Sequence, residues 1–475
     1  MTDKSVRKPV SGSLSPIRVA QGGRYFETFD GKPFLFVGPN DAITWPGLEG
    51  LYRRKDLGSV DAYLESLAAQ GVTVLRLMLE YAHREGRYFE KPVGRFNPAM
   101  VRLWDDLFAR CERYGLRVLL LPWDNFWMAR RWHRHPYNRA NGGPAEGPHA
   151  FFTDEATIDA AIRRFEFVIE RWGGSGVIAA WDLFNELHPH WGGTPEEQSA
   201  VIARLSAAVR KAEFERWGFS RPQTVSIFGP QPDAGYEALI FRHPSLDFAT
   251  THIYQGAIDF PRDTVAPAVV MGEWVRYALA RTPPDRPFLD SEHGPIHLFN
   301  DHRKFLSEEV DDQYERHLMW AHLASGGAGS GMRWPARHPH SLTEGMKSAL
   351  KSLSDFARHV AWNRFQPRDA VADVKLNVRG VQIFACRDEK QALIWLLRGK
   401  KRGNPPGLLP SRPVEEVILT LRGLEPGSYR VLPWDTQRGC PHPAFTVTSG
   451  SRREPVCLPL PLANDLALSL QPEQA

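Results

Sequence analysis

The sequence is poor in cysteine: four residues in 475, Cys111, Cys386, Cys440 and Cys457, scattered and without a C-x-x-C pair. That excludes a disulfide scaffold and a thiolate zinc site and leaves four free thiols. It also lacks any apolar run of about 18 residues, the length that spans a bilayer as a helix. The start, MTDKSVRKPVSGSLSPIRVAQGG, has basic residues but no apolar stretch of signal-peptide length. A cytoplasmic protein with no membrane partner is the expectation. Neither sign of charge dominates, because 59 Lys plus Arg against 55 Asp plus Glu leaves +4, with the signs interspersed. No nucleic-acid partner is implied. Tryptophan, by contrast, is abundant at 15 residues. That exceeds the usual need of a core and points towards flat apolar ligands, sugar faces among them.

From about residue 34 the chain alternates short β-branched runs with amphipathic helical stretches, the pattern of a parallel α/β sheet. Eight runs stand out, at 34–38, 72–79, 116–122, 177–184, 224–228, 247–254, 287–291 and 328–334. Between them helix boundaries are readable: Ser59 as a cap, Asn97-Pro98 opening and Gly115 closing, Thr194-Pro195 opening and Gly218 closing. Eight strand–helix units without a Gly-rich phosphate turn after the first run predict a (β/α)8 TIM barrel, not a doubly wound sheet. Past about residue 368 the helices stop. VKLNV, GVQIFAC, ALIWLLR, VEEVILTL, GSYRVLPW and LALSL, separated by Gly/Pro/Asn turns, predict a C-terminal antiparallel β-sandwich. The expected divisions are an N-terminal extension at 1–23, a barrel at 24–366 and an accessory sandwich at 367–475. A Pro/Gly/basic loop, 400–413, falls inside the sandwich.

In a barrel, residues just past the C-terminal ends of the strands share one pocket. The fourth run, VIAAWDLFNELHP, delivers Asn185 and Glu186; the seventh, RPFLDSEHGP, delivers Glu292; the sixth, TTHIY, puts His252 and Tyr254 on one face. Strands four and seven lie across the barrel from each other, so the two glutamates would face one another. Two carboxylates across a sugar-sized gap are what glycoside hydrolysis requires. Singly, each glutamate reads more simply as a solvated group or half of an ion pair; their joint placement carries the catalytic reading. The loop after the third strand, 123–152, is unusually long and carries Trp123, Asp124, Asn125 and Trp127. It reads as a substrate wall or as an excursion covering the barrel, with Asp124 and Asn125 touching sugar or capping the loop.

On these residues the sequence resembles the clan A retaining glycoside hydrolases, most closely the family 5 group of β-mannanases, β-mannosidases and cellulases. The matching segments are RYFETFDGKPFLFVGPN, which ends in Asn40, Arg76 in VLRLM, WDLFNE, His252 and Tyr254, Glu292, and Trp334 ending the eighth strand. The resemblance implies Glu186 as general acid/base and Glu292 as nucleophile. It implies that Asn185 binds the sugar 2-hydroxyl, Arg76 and Tyr254 position Glu292, His252 supports the acid/base, and Trp334 forms a sugar platform. Asn40, Trp123, Asp124, Asn125 and Trp127 complete the expected substrate-binding set. PWDNFW after strand three is nearer the pattern of mannan-active members than the histidine of cellulase-type ones, which tilts the substrate towards β-mannosides. A β-glucoside- or β-galactoside-specific enzyme of the same mechanism is the alternative. SEHG departs from relatives with an aromatic after the glutamate, so His293 is expected to alter the first sugar subsite. The expected partner is a short oligosaccharide or glycoside, with no cofactor and no metal.

Two rivals from other classes remain. A metal-dependent hydrolase would use the H-x-H pairs His133/His135, His188/His190 or His338/His340, but these fall in loops and no H-E-x-x-H exists. A non-catalytic carbohydrate-binding protein would be expected to have lost one glutamate.

Overall fold

The computed structural model describes residues 14–81, 85–254, 263–294, 306–335, 340–400 and 407–473. The chain opens with three short antiparallel strands, β1 (Ile17–Val19), β2 (Phe26–Thr28) and β3 (Pro33–Phe34). Each of the eight apolar runs then contains or borders a strand: β4 (Phe36–Val37), β5 (Val74–Met78), β6 (Arg117–Leu121), β7 (Ile178–Asp182), β8 (Gln223–Thr224), β9 (Ala249–His252), β10 (Phe288–Glu292) and β11 (Gly329–Gly331). Strands β5 to β8 pair in parallel in sequence order, as do β9 with β10 and β11 with β4. Backbone bonds bridge the remaining gaps, among them Thr73 N to Val37 O, His252 N to Ile227 O, and Met332 N to Asp290 O. These pairings and bonds link the parallel strands β4 to β11 in one ring of contacts, and a helix follows each strand. Near-continuous burial of the strand residues fits a sheet covered on both faces.

The fifth run is shorter than its sequence suggests. Ser226 turns away from the ladder to bond the loop after β7, donating its N–H to Phe184 O and accepting at Oγ from Glu186 N. Residues 14–23, within the expected 1–23 extension, pack against the strands that follow. There β1 pairs with β2, Gly176 N donates to Leu14 O and Arg117 Nη2 donates to Ser15 O, so this segment partners polar groups beside the start of β6 and β7. Residues 1–13 lie outside the described residues.

Helix caps follow the local chemistry. Asn97 accepts from Ala99 N, Pro98 occupies the first turn of Pro98–Tyr114, and Gly115 ends it at φ 74. Thr194 and Glu197 form a reciprocal capping box on Pro195–Trp217. Ser59 is not a cap. Asp56 caps Leu57–Ala69, accepting from both the N–H and the hydroxyl of Ser59, because a carboxylate three residues upstream reaches both donors.

Past the last helix, Glu344–Ala357, come β12 (Arg368–Asp369), β13 (Val374–Leu376), β14 (Val381–Arg387), β15 (Ala392–Arg398), β16 (Glu415–Leu421), β17 (Gly427–Asp435), β18 (Cys440–Pro441), β19 (Phe445–Ser449), β20 (Val456–Leu462) and β21 (Asp465–Pro472). They form two antiparallel sheets, β12-β14-β15-β21-β17-β18 with β19 on β17, and β13-β16-β20. Strand β20, VCLPLPL, is not apparent from sequence because prolines weaken the strand signal. It is an edge strand whose Val456, Leu458, Leu460 and Leu462 are buried while Pro459 and Pro461 alternate outward. Leu396, Val431 and Leu468 meet Leu419 and Leu458 between the sheets. The opposite face of the larger sheet, at Trp395, Leu432, Trp434 and Ala467, joins the core of the ring. Trp434 Nε1 donates to Ser352 Oγ at 3.1 Å, and that hydroxyl donates to Thr436 O at 2.9 Å. Of the 15 tryptophans, nine are buried. These nine belong to this long core, and the other six are partly exposed.

Candidate active site

The middle of β5 and the C-terminal ends of β7, β9 and β10 bring together Arg76, Glu186, His252 and Glu292. Glu292 is the last residue of β10, opposite His252 across a register shift. Glu186 sits four residues beyond β7 in the left-handed region, at φ 46 and ψ 64. A non-glycine residue there costs on the order of 1–3 kcal/mol and persists where surroundings hold it. Ser226 Oγ accepts from its N–H at 3.1 Å, and Trp191 Nε1 donates to the preceding carbonyl, Asn185 O, at 2.7 Å. The strain turns the Glu186 carboxyl towards the mouth of the ring, where one of its oxygens lies within 4.8 Å of an oxygen of Glu292.

Each carboxyl is held differently. Glu292 accepts from Arg76 Nη1 at Oε2, 2.6 Å, and from the Tyr254 hydroxyl at Oε1. Glu186 Oε1 is 2.7 Å from His252 Nδ1, and Oε2 is 3.5 Å from His190 Nε2. Burial pushes the Glu186 carboxyl up to about 7, with His190 and Arg76 opposing the shift. Burial also pushes His252 down to about 4, so its imidazole is neutral near pH 7. The two glutamates are 5% and 7% exposed, more enclosed than the open mouth that strand-end positions suggest. That enclosure raises Glu186.

Arg76 is the hub. Its Nη1 donates to Asn40 Oδ1 at 2.9 Å as well as to Glu292, and its Nη2 donates to Asp182 Oδ2 at 2.9 Å and Asn185 Oδ1 at 2.6 Å. Burial works against this guanidinium, but Glu292 and Asp182 more than offset it and its pKa rises. A planar fork is the group that can serve four acceptors at fixed angles. Asn40 in turn donates to Ser291 O and Met332 O, both at 2.9 Å, tying β10 to β11 beneath the site. It is buried and holds Arg76; it does not face open space.

The remaining expected residues divide. Asn125 donates to Glu186 O at 3.3 Å and accepts from Asn185 Nδ2, so it braces the pair from strand four. Asp124 caps the short helix Asn125–Arg130 by accepting from Trp127 N, and burial pushes its carboxyl up to about 8. The capping reading of Asp124 is the one the geometry supports. Trp123 is corrected outright: it is buried, stacked on Phe184 at 5.9 Å and lying 5.0 Å from the Arg164 guanidinium, because the third-strand loop folds into short helices over the ring. Trp127 is half-buried beside Arg130 and Arg131. Trp334 is half-buried, edge-on to Trp45 at 4.8 Å. His293 does not reach a sugar subsite. It is fully buried, bonded to Asp290 Oδ2 at 2.7 Å and Glu315 Oε2 at 3.3 Å, and these carboxylates outweigh burial and lift it to about 9.

Sequence reasoning missed Asp182 and Ser226, and took His190 only as half of an H-x-H pair, not as a neighbour of Glu186. Asp182 had a signal, an acid inside an apolar strand, WDLF; the other two are set by chain turns alone. Among the described residues, Glu186, His252 and Glu292 have ligand-type atoms within 4.8 Å of each other. Both oxygens of Glu292 already accept hydrogen bonds and Arg76 places a positive charge beside them, which opposes a metal ion. Of the H-x-H pairs, His135 bonds Glu80 at 3.0 Å, His188 lies against Tyr236, and His340 is stacked on Trp45. His338 lies outside the described residues.

No family model matches the chain. It is similar to mannan endo-1,4-beta-mannosidase 1 of Oryza sativa subsp. japonica, 24% identical over 301 residues that cover 58% of this chain and 68% of the rice protein. The fold is shared with a glycoside hydrolase family 5 structure from Bacteroides vulgatus, at a TM-score of 0.62 and 12% identity over 100% of this chain and 96% of that one. An exo-beta-1,4-mannosidase from Opitutaceae bacterium strain TAV5 matches at a TM-score of 0.52 and 20% identity, covering 72% of this chain and 62% of that one. The chain thus resembles a mannan endo-1,4-beta-mannosidase in sequence and a glycoside hydrolase family 5 structure in fold.

Proposed function

We propose that the chain is a (β/α)8-barrel glycosidase that cleaves β-glycosidic bonds with retention of configuration, acting on short β-mannosides. The observation that carries this reading is the pair Glu186 and Glu292, held by different partners with oxygens within 4.8 Å. Retaining enzymes keep their carboxyl groups about 5–5.5 Å apart, too close for an intervening water, and inverting enzymes about 6.5–9.5 Å.

In the first step Glu292, with Arg76 and Tyr254 fixing both oxygens, attacks the anomeric carbon. The electron pair of the scissile bond moves to the leaving oxygen, which takes the proton of Glu186. A carboxyl raised to about 7 still holds that proton near neutrality. Forming the glycosyl ester removes the charge of Glu292, and without a like-charged neighbour the pKa of Glu186 falls. Glu186 then accepts a proton from the water that releases the sugar. Neutral His252 can share the Glu186 proton without adding positive charge. Asn185, oriented by Arg76 and Asn125, is the group placed for a sugar hydroxyl next to the reacting carbon.

The mannoside assignment is supported by the names of the rice and Opitutaceae relatives and by the Asn and Trp residues after strand three. Hydrolysis of p-nitrophenyl β-glycosides and of manno-, cello- and xylo-oligosaccharides tests it, with proton NMR of the first product. Release of β-mannose before mutarotation is expected. A preference for β-glucosides or β-galactosides would replace the sugar but keep the mechanism, whereas an initial α-product would make Glu292 a base. No hydrolysis of any substrate would overturn the reading.

A further inference from the structure

A second cleft, of about 1130 Å³, lies away from the catalytic pair, between the 358–368 segment that leaves the last helix and one end of the larger C-terminal sheet. Its floor follows from strand register. Across β15, β21 and β17, the row Trp395–Ala467–Trp434 packs into the ring's core, and the next row, Leu393–Ser469–Leu432, continues that contact. The row after it is Gln391, Gln471 and Arg430: Gln471 pairs with Arg430, and Gln391 precedes the Ala392–Leu470 pair. Side chains two residues apart share a face. The same sheet face that is sealed by tryptophan and leucine therefore becomes two carboxamides and a guanidinium where the ring no longer covers it.

Two of these groups lack partners. Gln391 is 5% exposed, and its side-chain oxygen is buried without a hydrogen bond, while its nitrogen reaches Ala361 O only at 3.5 Å. The buried Nε2 of Gln471 has none either. Buried polar atoms normally find partners, so orphans lining a cleft point to an absent one. The charges are also unequal. The acids of the lining are engaged elsewhere: Asp388 accepts from the backbone of Gln366, Lys390 and Gln391, Glu389 pairs with Arg452, and Glu473 accepts from Ser428 and Thr446. Arg364, Lys390 and Arg430 line the same cleft with no ion pair among the described residues.

We infer that this cleft binds an acidic saccharide: a hydroxylated ring whose carboxylate or phosphate meets Arg364 and Arg430 while its hydroxyls meet the amides of Gln391 and Gln471. Guanidinium forks match both anions, and a carboxamide offers the donor and the acceptor that a sugar hydroxyl needs. A neutral sugar would leave the arginines unanswered, and a bare anion the amides. The site does not depend on the hydrolytic reading.

Calorimetric titration of the full chain with glucuronic acid, mannose 6-phosphate, mannose and inorganic phosphate tests this. At least one acidic sugar should bind, about tenfold or more tighter than mannose and tighter than phosphate; which one does identifies the anion. The double variant Arg364→Ala/Arg430→Ala should weaken it about tenfold or more, and Gln391→Leu should weaken the acidic sugar more than phosphate. Hydrolytic activity in these variants should match the parent, which separates this result from any failure of the glycosidase reading. Binding that persists in the double variant, equal binding of mannose or of phosphate, or no binding of either acidic sugar would overturn the inference.

Discussion

Replacing Glu186 by Gln, Glu186→Gln, separates what burial does to this carboxyl from what the carboxyl does in chemistry. Burial lifts the group from an ordinary 4.5 to about 7. Below pH 4.5 the folded and unfolded chains both hold the proton, so the group adds no pH dependence. Between about 4.5 and 7 the unfolded chain loses the proton while the folded chain keeps it, so stability falls as pH rises; above about 7 both have lost it and the curve flattens. The gap of 2.5 between those two values corresponds to about 3 kcal/mol. Glutamine cannot ionise, so the variant should lack that fall. Losing the His252 contact adds a constant offset, but the difference between the two proteins should move by about 3 kcal/mol in favour of the variant between pH 4.5 and 8. Urea unfolding across that range reads it. In parallel, hydrolysis of substrates with poor leaving groups should drop about 10²–10⁴-fold, and the decline of activity above pH 7 should disappear. A stability difference that is flat across this range would refute the burial argument whatever the activity does.

Arg76→Met should lower stability by about 3–5 kcal/mol in urea unfolding, because it leaves Asp182 and Glu292 buried without their cation; an unchanged midpoint would contradict the hub role. Tyr254→Phe removes one donor to Glu292 and nothing from the core, so kcat should fall about 10–100-fold while stability in urea falls by no more than the about 1.5–3 kcal/mol that a hydrogen bond to a charged group contributes. Trp434→Ala empties the junction between the last helix and the larger sheet and should cost about 3–5 kcal/mol, with calorimetry showing the sheet melting before the ring. Exhaustive chelation should leave hydrolysis unchanged; loss restored by zinc or manganese would reopen the metal reading.

Strand positions and most helix ends follow from local chemistry, and so they were legible: an apolar run between polar caps behaves alike wherever it sits in a fold. The candidate pair was legible because Glu186 and Glu292 each follow such a run. Trp123 and His293 were misread, and Asp124 stayed open between cap and sugar contact, for one shared reason. A tryptophan, a histidine or an aspartate in a loop serves a core, an ion network or a cap equally well, and only its neighbours decide. His293 meets Asp290 and Glu315, and Glu315 comes from a helix 22 residues on.

The sequence by itself therefore determined the alternation of strands and helices, the change to antiparallel strands near residue 368, and which strand ends carry carboxyls, because each depends on residues close along the chain. Only the tertiary structure decided the protonation chemistry. Arg76 and Glu292 are 216 residues apart and meet at 2.6 Å, and His252 and Glu186 are 66 apart and meet at 2.7 Å. A carboxyl's proton affinity is set by the water excluded from it and the charges brought beside it, and both come from segments distant in the chain that touch only when the ring closes.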